Sequence, residues 1–140
     1  DPARGLRGAD CFHCHGGNLF TNHRFMNNGL EILPNDLGRM EVTKQEGDRG
    51  KFKVPSLRNV SLTAPYMHDG RFSTLEEVID HYNGSLHRAP SLDPNLAKHP
   101  ESGLGLSDAD KAALVAFLKT LTDEQFVGSK SFEKQQLTQR

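Results

Sequence analysis

The sequence predicts a mostly α chain with long loops. Two segments, 73–84 and 106–123, show the helical apolar period together with capping residues, whereas the long segment 16–53 shows no sustained apolar period. No segment predicts a strand, and no internal repeat is visible. Long loops without regular structure are uncommon in compact domains unless they are functional, so we expect these loops to wrap around a bound group.

The first helix is predicted over residues 73–84, with Ser73 or Thr74 as its N-cap. Glu76 and Glu77 fall in the first turn, where the helix dipole favours acidic side chains, and Gly84 ends the helix. One face is apolar at helical spacing and consists of Leu75, Val78, Ile79 and Tyr82.

The second helix is predicted over residues 106–123, with Ser107 as its N-cap and Asp108 and Asp110 in the first turn. Its apolar stripe is predicted to consist of Ala113, Leu114, Phe117, Leu118 and Leu121.

Charge and length exclude several classes of protein. The 140 residues include 17 Lys and Arg against 18 Asp and Glu, a balance that argues against binding nucleic acid through its phosphates. No apolar stretch approaches the roughly 20 residues of a membrane helix, and we expect any signal peptide to have been removed. The length suits one domain or half of a two-domain chain. We expect a domain over 1–126 and a polar tail over 127–140.

The segment CFHCH at residues 11–15 carries the chemistry. Cys11 and Cys14 lie one helical turn apart and are followed at once by His15. Covalent haem attachment requires this pattern, because each thiol can bond one vinyl group while the histidine binds the iron as its proximal ligand. The motif therefore predicts one haem c.

Other readings of CFHCH have less support. A thioredoxin-like redox pair needs a βαβ context, which the sequence does not show. A zinc site needs a second pair of ligands, and the chain has only two Cys, although its seven His keep that reading open. A disulfide between residues three apart would close too small a loop to stabilise the fold.

Three longer segments resemble a known family. They are CFHCHGGNLFTNHRFMNNGL, GKFKVPSLRNVSLTAPYMHDGRFSTLEEVIDHYN and LSDADKAALVAFLKTLTD. Together they resemble the C-terminal haem domain of bacterial dihaem cytochrome c peroxidases and the related MauG group, over roughly residues 5–124. The resemblance implies a class I cytochrome c-like haem domain, since the last segment is similar to the C-terminal helix of those cytochromes.

The resemblance also implies a distal iron ligand. In the family this ligand lies fourteen residues after the histidine of the HDG segment, which is His68 here, so the matching position is Tyr82. Peroxidases have Met at that place and the MauG branch has Tyr, so this sequence follows MauG. The residues themselves leave Met67 as an alternative, because Met/His ligation is the common electron-transfer arrangement.

The remaining candidates are polar. Arg58 is a candidate partner for a haem propionate, because a guanidinium pairs with carboxylates through two hydrogen bonds. We expect His68 to make structural or propionate-side hydrogen bonds, the pair Arg71 and Asp69 to belong to the turn, and His81 to be solvated because it lies off the apolar face.

The family resemblance implies further partners. The family holds a calcium ion between its two domains, partly through backbone carbonyls at positions that match Thr63 and Pro65. The remaining calcium ligand and the peroxidatic haem belong to an N-terminal domain that this sequence does not contain, so calcium is expected only with that domain. A second haem domain or chain and a small redox protein are the expected partners, and the expected location is periplasmic or otherwise exported.

Two functions remain open. The first is an electron-transfer half of a dihaem peroxidase or MauG-like oxidoreductase, favoured because the lead-in before CFHCH is too short for a full N-terminal helix. The second is a stand-alone monohaem electron carrier. A less favoured third is that this haem itself performs the chemistry.

Overall fold

The computed structural model describes residues 8–129. Residues 1–7 lie outside the described residues, and so do residues 130–140, which make up most of the tail predicted over 127–140. Five α-helices follow one another in this part of the chain: α1 (Met40–Thr43), α2 (Leu75–Gly84), α3 (Pro94–Ala97), α4 (Asp108–Thr120) and α5 (Glu124–Val127). Short 3₁₀ turns occupy Cys11–His13, Glu46–Asp48 and Val60–Leu62.

Loops occupy more of the chain than helices do. Helical residues amount to 36% of the described residues, so the expectation of a mostly α chain is met only in part. The expectation of long loops is confirmed, since the connections that precede α2 and that separate α2 from α4 contain no helix longer than four residues.

Helices α2 and α4 pack against each other and form the core. Leu75 and Ile79 of α2 contact Val115 of α4 and Leu106, which lies just before α4. Both helices begin as the sequence predicts. Thr74 caps α2 through a capping box with Glu77, and Ser107 caps α4 through a capping box with Asp110.

The predicted apolar stripe of α4 is partly wrong. Val115 is the buried residue of this helix, whereas Ala113 and Phe117 are exposed. The helix is rotated so that Leu114, Val115 and Leu118 face the core, while the Phe117 ring makes an edge contact with Phe20, with the ring centroids 6.5 Å apart. Periodicity identified the helix correctly, but it could not decide which of several adjacent apolar residues faces α2.

A small sheet stands where no strand was predicted. β1 (Phe25–Met26) pairs antiparallel with β2 (Phe52–Lys53), with Phe25 opposite Lys53 and Met26 opposite Phe52. Two-residue strands are too short to show an alternating pattern, which explains why the sequence did not reveal them. The sheet joins the loop after CFHCH to the loop before α2.

Side-chain hydrogen bonds to the backbone hold these loops together. The buried Thr21 hydroxyl donates to the Val54 carbonyl at 2.7 Å, next to the sheet. The Asn83 side chain accepts from the Leu106 backbone N–H at 2.9 Å and so ties the end of α2 to the start of α4. Within residues 8–129, none of the helices combines the length and the apolar character required to cross a bilayer.

The two candidate caps of α2 give a stability prediction. Thr74→Ala removes the hydroxyl that accepts from the Glu77 backbone N–H, so we expect it to lower the free energy of unfolding by about 1 kcal/mol. Ser73→Ala is the matched control and should cost under about 0.5 kcal/mol, as is usual for exposed positions. Urea unfolding of the haem-loaded protein measures both. Equal losses in the two variants would contradict the capping assignment.

Candidate haem site

The CFHCH segment forms a tight turn at the start of the described chain. Cys11–His13 is a single 3₁₀ turn, and the backbone N–H of His15 donates to the Cys11 carbonyl at 2.8 Å. Both cysteines are free thiols, with Cys11 exposed and Cys14 half-buried. The turn therefore holds two thiols and the histidine side by side, as the spacing predicts.

The His15 ring is held in the tautomer that carries its proton on Nδ1. Its Nδ1 lies 3.0 Å from the carbonyl oxygen of Phe20, and since a carbonyl can only accept, Nδ1 carries the proton. Burial lowers the pKa of His15, although carbonyls of Phe20 and Pro55 oppose this effect. A neutral imidazole protonated at Nδ1 leaves the Nε2 lone pair available to a metal ion.

Tyr82 lies on the last turn of α2 with its hydroxyl inside the protein. Burial raises the pKa of Tyr82 to about 12. A hydrogen bond from Asn28 opposes this shift, whereas negative charge on Cys11 or Cys14 would add to it. The structure thus brings the phenol close to the two thiols of the motif, more than sixty residues away in sequence.

Met67 lies near the same place. The Asn28 Nδ2 atom is 3.2 Å from the Met67 sulfur and 3.5 Å from the Tyr82 hydroxyl oxygen. Met67 is half-buried and has a φ of 74°, a left-handed conformation that is uncommon for residues other than glycine. Both candidate distal ligands therefore share one amide group, and nothing in the sequence pointed to Asn28, because a loop asparagine carries no spacing signal.

The expectation for His81 is wrong. The side chain is buried, and its Nε2 lies 2.9 Å from the Asn28 carbonyl oxygen, to which it donates. Burial lowers the pKa of His81, so the neutral ring is favoured. The reason is that the loop around Asn28 covers this side of α2, which helical periodicity alone could not show.

Arg58 is exposed and already holds a neighbouring loop. Its Nε and Nη2 donate to the Asn18 carbonyl at 3.0 and 2.6 Å. The guanidinium also lines a groove of about 510 Å³ together with Phe20 and residues 120–125, and this groove does not include Tyr82 or Met67. The Nη1 group carries two further N–H donors, so the propionate role stays a prediction.

The HDG turn behaves as a structural element. The His68 ring stacks on Phe52 of β2, with the centroids 3.7 Å apart. Arg71 pairs with Asp69 and also with Glu31, from the loop after β1. The structural role expected for this turn therefore extends to fastening it onto a second loop.

The predicted calcium positions do not form a site on their own. Thr63 and Pro65 are exposed, and among residues 8–129 no group of three or more His, Cys, Asp and Glu side chains is arranged to hold a metal ion. Backbone carbonyls were expected to complete their ligand set only with another domain, so calcium stays an expectation for the two-domain protein.

The donor set fits a covalently bound haem. Cys11 and Cys14 are unpaired thiols at the required spacing, and His15 presents the tautomer that binds a metal through Nε2. Tyr82 and Met67 offer a buried oxygen and a sulfur as further ligands. These groups come together although they are spread over the chain.

Comparison with known proteins agrees with this set. The cytochrome c family model matches residues 3–122. A cytochrome-c peroxidase of Denitromonas iodatirespirans is 34% identical over 81% of this chain and 36% of its own length. The methylamine utilization protein MauG of Paracoccus denitrificans is 43% identical over 76% of this chain and 35% of its own length.

Solved structures show the same fold. A MauG-like protein associated with microbial copper homeostasis superimposes with a TM-score of 0.70 at 40% identity, covering 89% of this chain and 46% of its own. The dihaem peroxidase BthA of Burkholderia thailandensis gives a TM-score of 0.61 at 21% identity, covering 86% of this chain and 40% of its own.

The chain spans about a third of the length of the curated relatives it matches. The match of the family model to most of the chain, together with the CFHCH turn, establishes the cofactor as covalent haem c. The chain therefore belongs to the cytochrome c family, as a haem c domain whose relatives include cytochrome-c peroxidases and MauG proteins.

Proposed function

We propose that this chain is the electron-transfer haem domain of a two-haem oxidoreductase of the peroxidase and MauG type, located outside the cytoplasm. A second haem domain and a small redox protein are its proposed partners. The observation that carries the proposal is that the Tyr82 phenol lies close enough to the thiols of the CFHCH turn for their charges to affect its pKa, so that residues of both segments would hold one haem.

Different side chains would hold different parts of the haem. Cys11 and Cys14 would hold the haem through one thioether bond each, formed by addition of the S–H bond across a vinyl group without net oxidation or reduction. His15 would bind the iron through Nε2, because Nδ1 donates to the Phe20 carbonyl. Tyr82 would bind through its deprotonated oxygen, and Met67 is the alternative donor at this position.

Bound haem supplies an iron centre that accepts and releases one electron at a time. His15 and Tyr82 are half-buried, and each is held by a hydrogen bond: His15 donates to the Phe20 carbonyl, and the Tyr82 oxygen accepts from Asn28. Cys11 is exposed, so the attachment point lies at the protein surface, where a redox partner can approach. Arg58 is proposed to pair with a haem propionate through Nη1.

The matched relatives favour this function over a small monohaem carrier, because they are peroxidases and MauG proteins about three times as long as the matched segment. With two protein ligands on the iron, the role proposed for this haem is to pass electrons, and the reaction with substrate is assigned to the partner domain.

An iron with two protein ligands should not react with small ligands. We expect the ferric optical and EPR spectra of the haem-loaded chain to stay unchanged when cyanide or hydrogen peroxide is added, because no coordination position is open. Rapid cyanide binding would contradict the proposed electron-transfer role and would favour chemistry at this haem.

Tyr82→Phe tests the distal ligand, because it removes the hydroxyl and keeps the ring. We expect a changed ferric spectrum and new binding of cyanide. Tyr66→Phe is the matched control, since it removes the other tyrosine hydroxyl of the chain, which donates to the Val60 carbonyl at 3.0 Å. Met67→Leu should keep both protein ligands on the iron and therefore should not bind cyanide. The reverse pattern, with cyanide binding to Met67→Leu and not to Tyr82→Phe, would make Met67 the ligand.

Covalent attachment is tested with the two cysteines. We expect Cys11→Ala and Cys14→Ala each to retain haem on the denatured chain through one thioether bond, and the double variant to release it into acidified organic solvent. The two residues are the only cysteines in the sequence, so no other thiol can substitute. Haem staining of denaturing gels and intact mass give the readout, and haem that stays attached to the double variant would refute the assignment.

A further inference from the structure

The Asn28 amide lies between the two candidate distal ligands. Its Nδ2 is 3.2 Å from the Met67 sulfur and 3.5 Å from the Tyr82 oxygen. Both acceptors lie within hydrogen-bond distance of one nitrogen atom, and the shorter contact goes to the sulfur, so the two acceptors compete for this amide. Neither contact stabilises a helix or a turn, so the two contacts of Asn28 point to a role at the haem site.

The fold fixes the position of this amide independently of the ligands. The buried Asn27 side chain donates to the Ser91 hydroxyl at 2.9 Å and accepts from the Gly29 backbone N–H at 2.8 Å. His81 donates to the Asn28 carbonyl at 2.9 Å, which ties the segment to α2, the helix that carries Tyr82. Asn28 is therefore anchored on both sides before its own side chain makes any contact.

Gly29 keeps this segment close to the neighbouring loop. Its φ is 72°, and a Cβ there would lie 3.0 Å from both the His87 carbonyl oxygen and a methyl carbon of Leu92. The His87 backbone N–H donates to the Gly29 carbonyl at 2.8 Å, so the two loops touch through their backbones. A larger residue would push the Asn28 amide away from α2.

We propose that Asn28 is a positioning residue that sets the reduction potential of the haem by donating a hydrogen bond to the Tyr82 oxygen. The inference rests on the proposed function, in which Tyr82 binds the iron. A hydrogen bond draws electron density from the phenolate oxygen and weakens its donation to ferric iron. The Met67 sulfur competes for the same amide and limits this effect.

The direction of the effect follows from this arrangement. Phenolate ligation favours the ferric state, because the anionic oxygen compensates the larger positive charge of that state better than that of the ferrous state. Without the Asn28 donor the phenolate donates more strongly to the iron, so the ferric state is stabilised relative to the ferrous state. We expect a roughly tenfold change in the ratio of ferric to ferrous haem at a given potential, which corresponds to a potential lower by about 59 mV.

The test uses Asn28→Leu, which keeps the branched shape and removes the donor. The reduction potential and ferric EPR spectrum of the haem-loaded chain are measured in three backgrounds: unmodified, Met67→Leu and Tyr82→Phe. Asn28→Ala repeats the test without risk of overpacking. Ser91→Ala is the control for a merely structural effect, since it loosens the anchoring of Asn27 but touches neither ligand.

We expect Asn28→Leu to lower the potential in the Met67→Leu background, which has no competing sulfur, and to leave it unchanged in the Tyr82→Phe background. An unchanged or raised potential in the Met67→Leu background would overturn the inference, and so would an equal shift with Tyr82→Phe or with Ser91→Ala. If Tyr82→Phe alone leaves the ferric spectrum unaltered, the proposed ligand itself is wrong. The two failures are therefore distinguishable.

Discussion

The packing of α2 against α4 is the contact on which the rest of the structure depends. The buried core cluster of the described chain contains only Leu75, Ile79, Leu106 and Val115, and all four lie on these two helices or at their ends. The last turn of α2 then carries His81 and Tyr82 beyond that core. The place of Tyr82, the proposed distal ligand, is thus set by an ordinary helix–helix contact one to two turns away.

Hydrogen bonds from side chains to the backbone hold the loops in place, a role that a larger apolar core has in other folds. Thr21 holds the loop after the CFHCH turn to Val54, and Arg58 holds Asn18. Such bonds are directional, so they fix the path of a loop where apolar contacts would allow it to slide. Loops shaped in this way can place single polar groups such as the Asn28 amide beside a ligand.

The predictable part of the molecule is the part that local sequence determines. The N-caps Thr74 and Ser107 and the spacing of CFHCH each depend on residues within one or two turns, and the structure confirms both N-caps. Val115 was missed because two adjacent rows of apolar side chains fit the same period. The choice between them depends on how α2 crosses α4.

The distal side could not be predicted from the residues alone. His81 follows the helical period onto the polar face, yet the loop at Asn28 covers it and its imidazole donates to the carbonyl there. Asn28 approaches Met67, which is 39 positions away in the chain, and Tyr82, which is 54 positions away. The resemblance to the MauG branch singled out Tyr82 where periodicity would have made it a core residue.

Burial and hydrogen bonding act in opposite directions on Tyr82, and their balance connects the fold to the redox chemistry. Burial raises the pKa of the phenol to about 12, so its anion is costly inside the protein unless a positive charge compensates it. With Tyr82 bound to the iron as we propose, ferric haem compensates that charge better than ferrous haem does, so the burial of the phenol favours the oxidised state. In the proposed ligation the Asn28 hydrogen bond weakens the donation of the phenolate to ferric iron, so it opposes this preference for the oxidised state. A chain can therefore adjust the potential through one loop asparagine while the helices that bury the ligand stay unchanged.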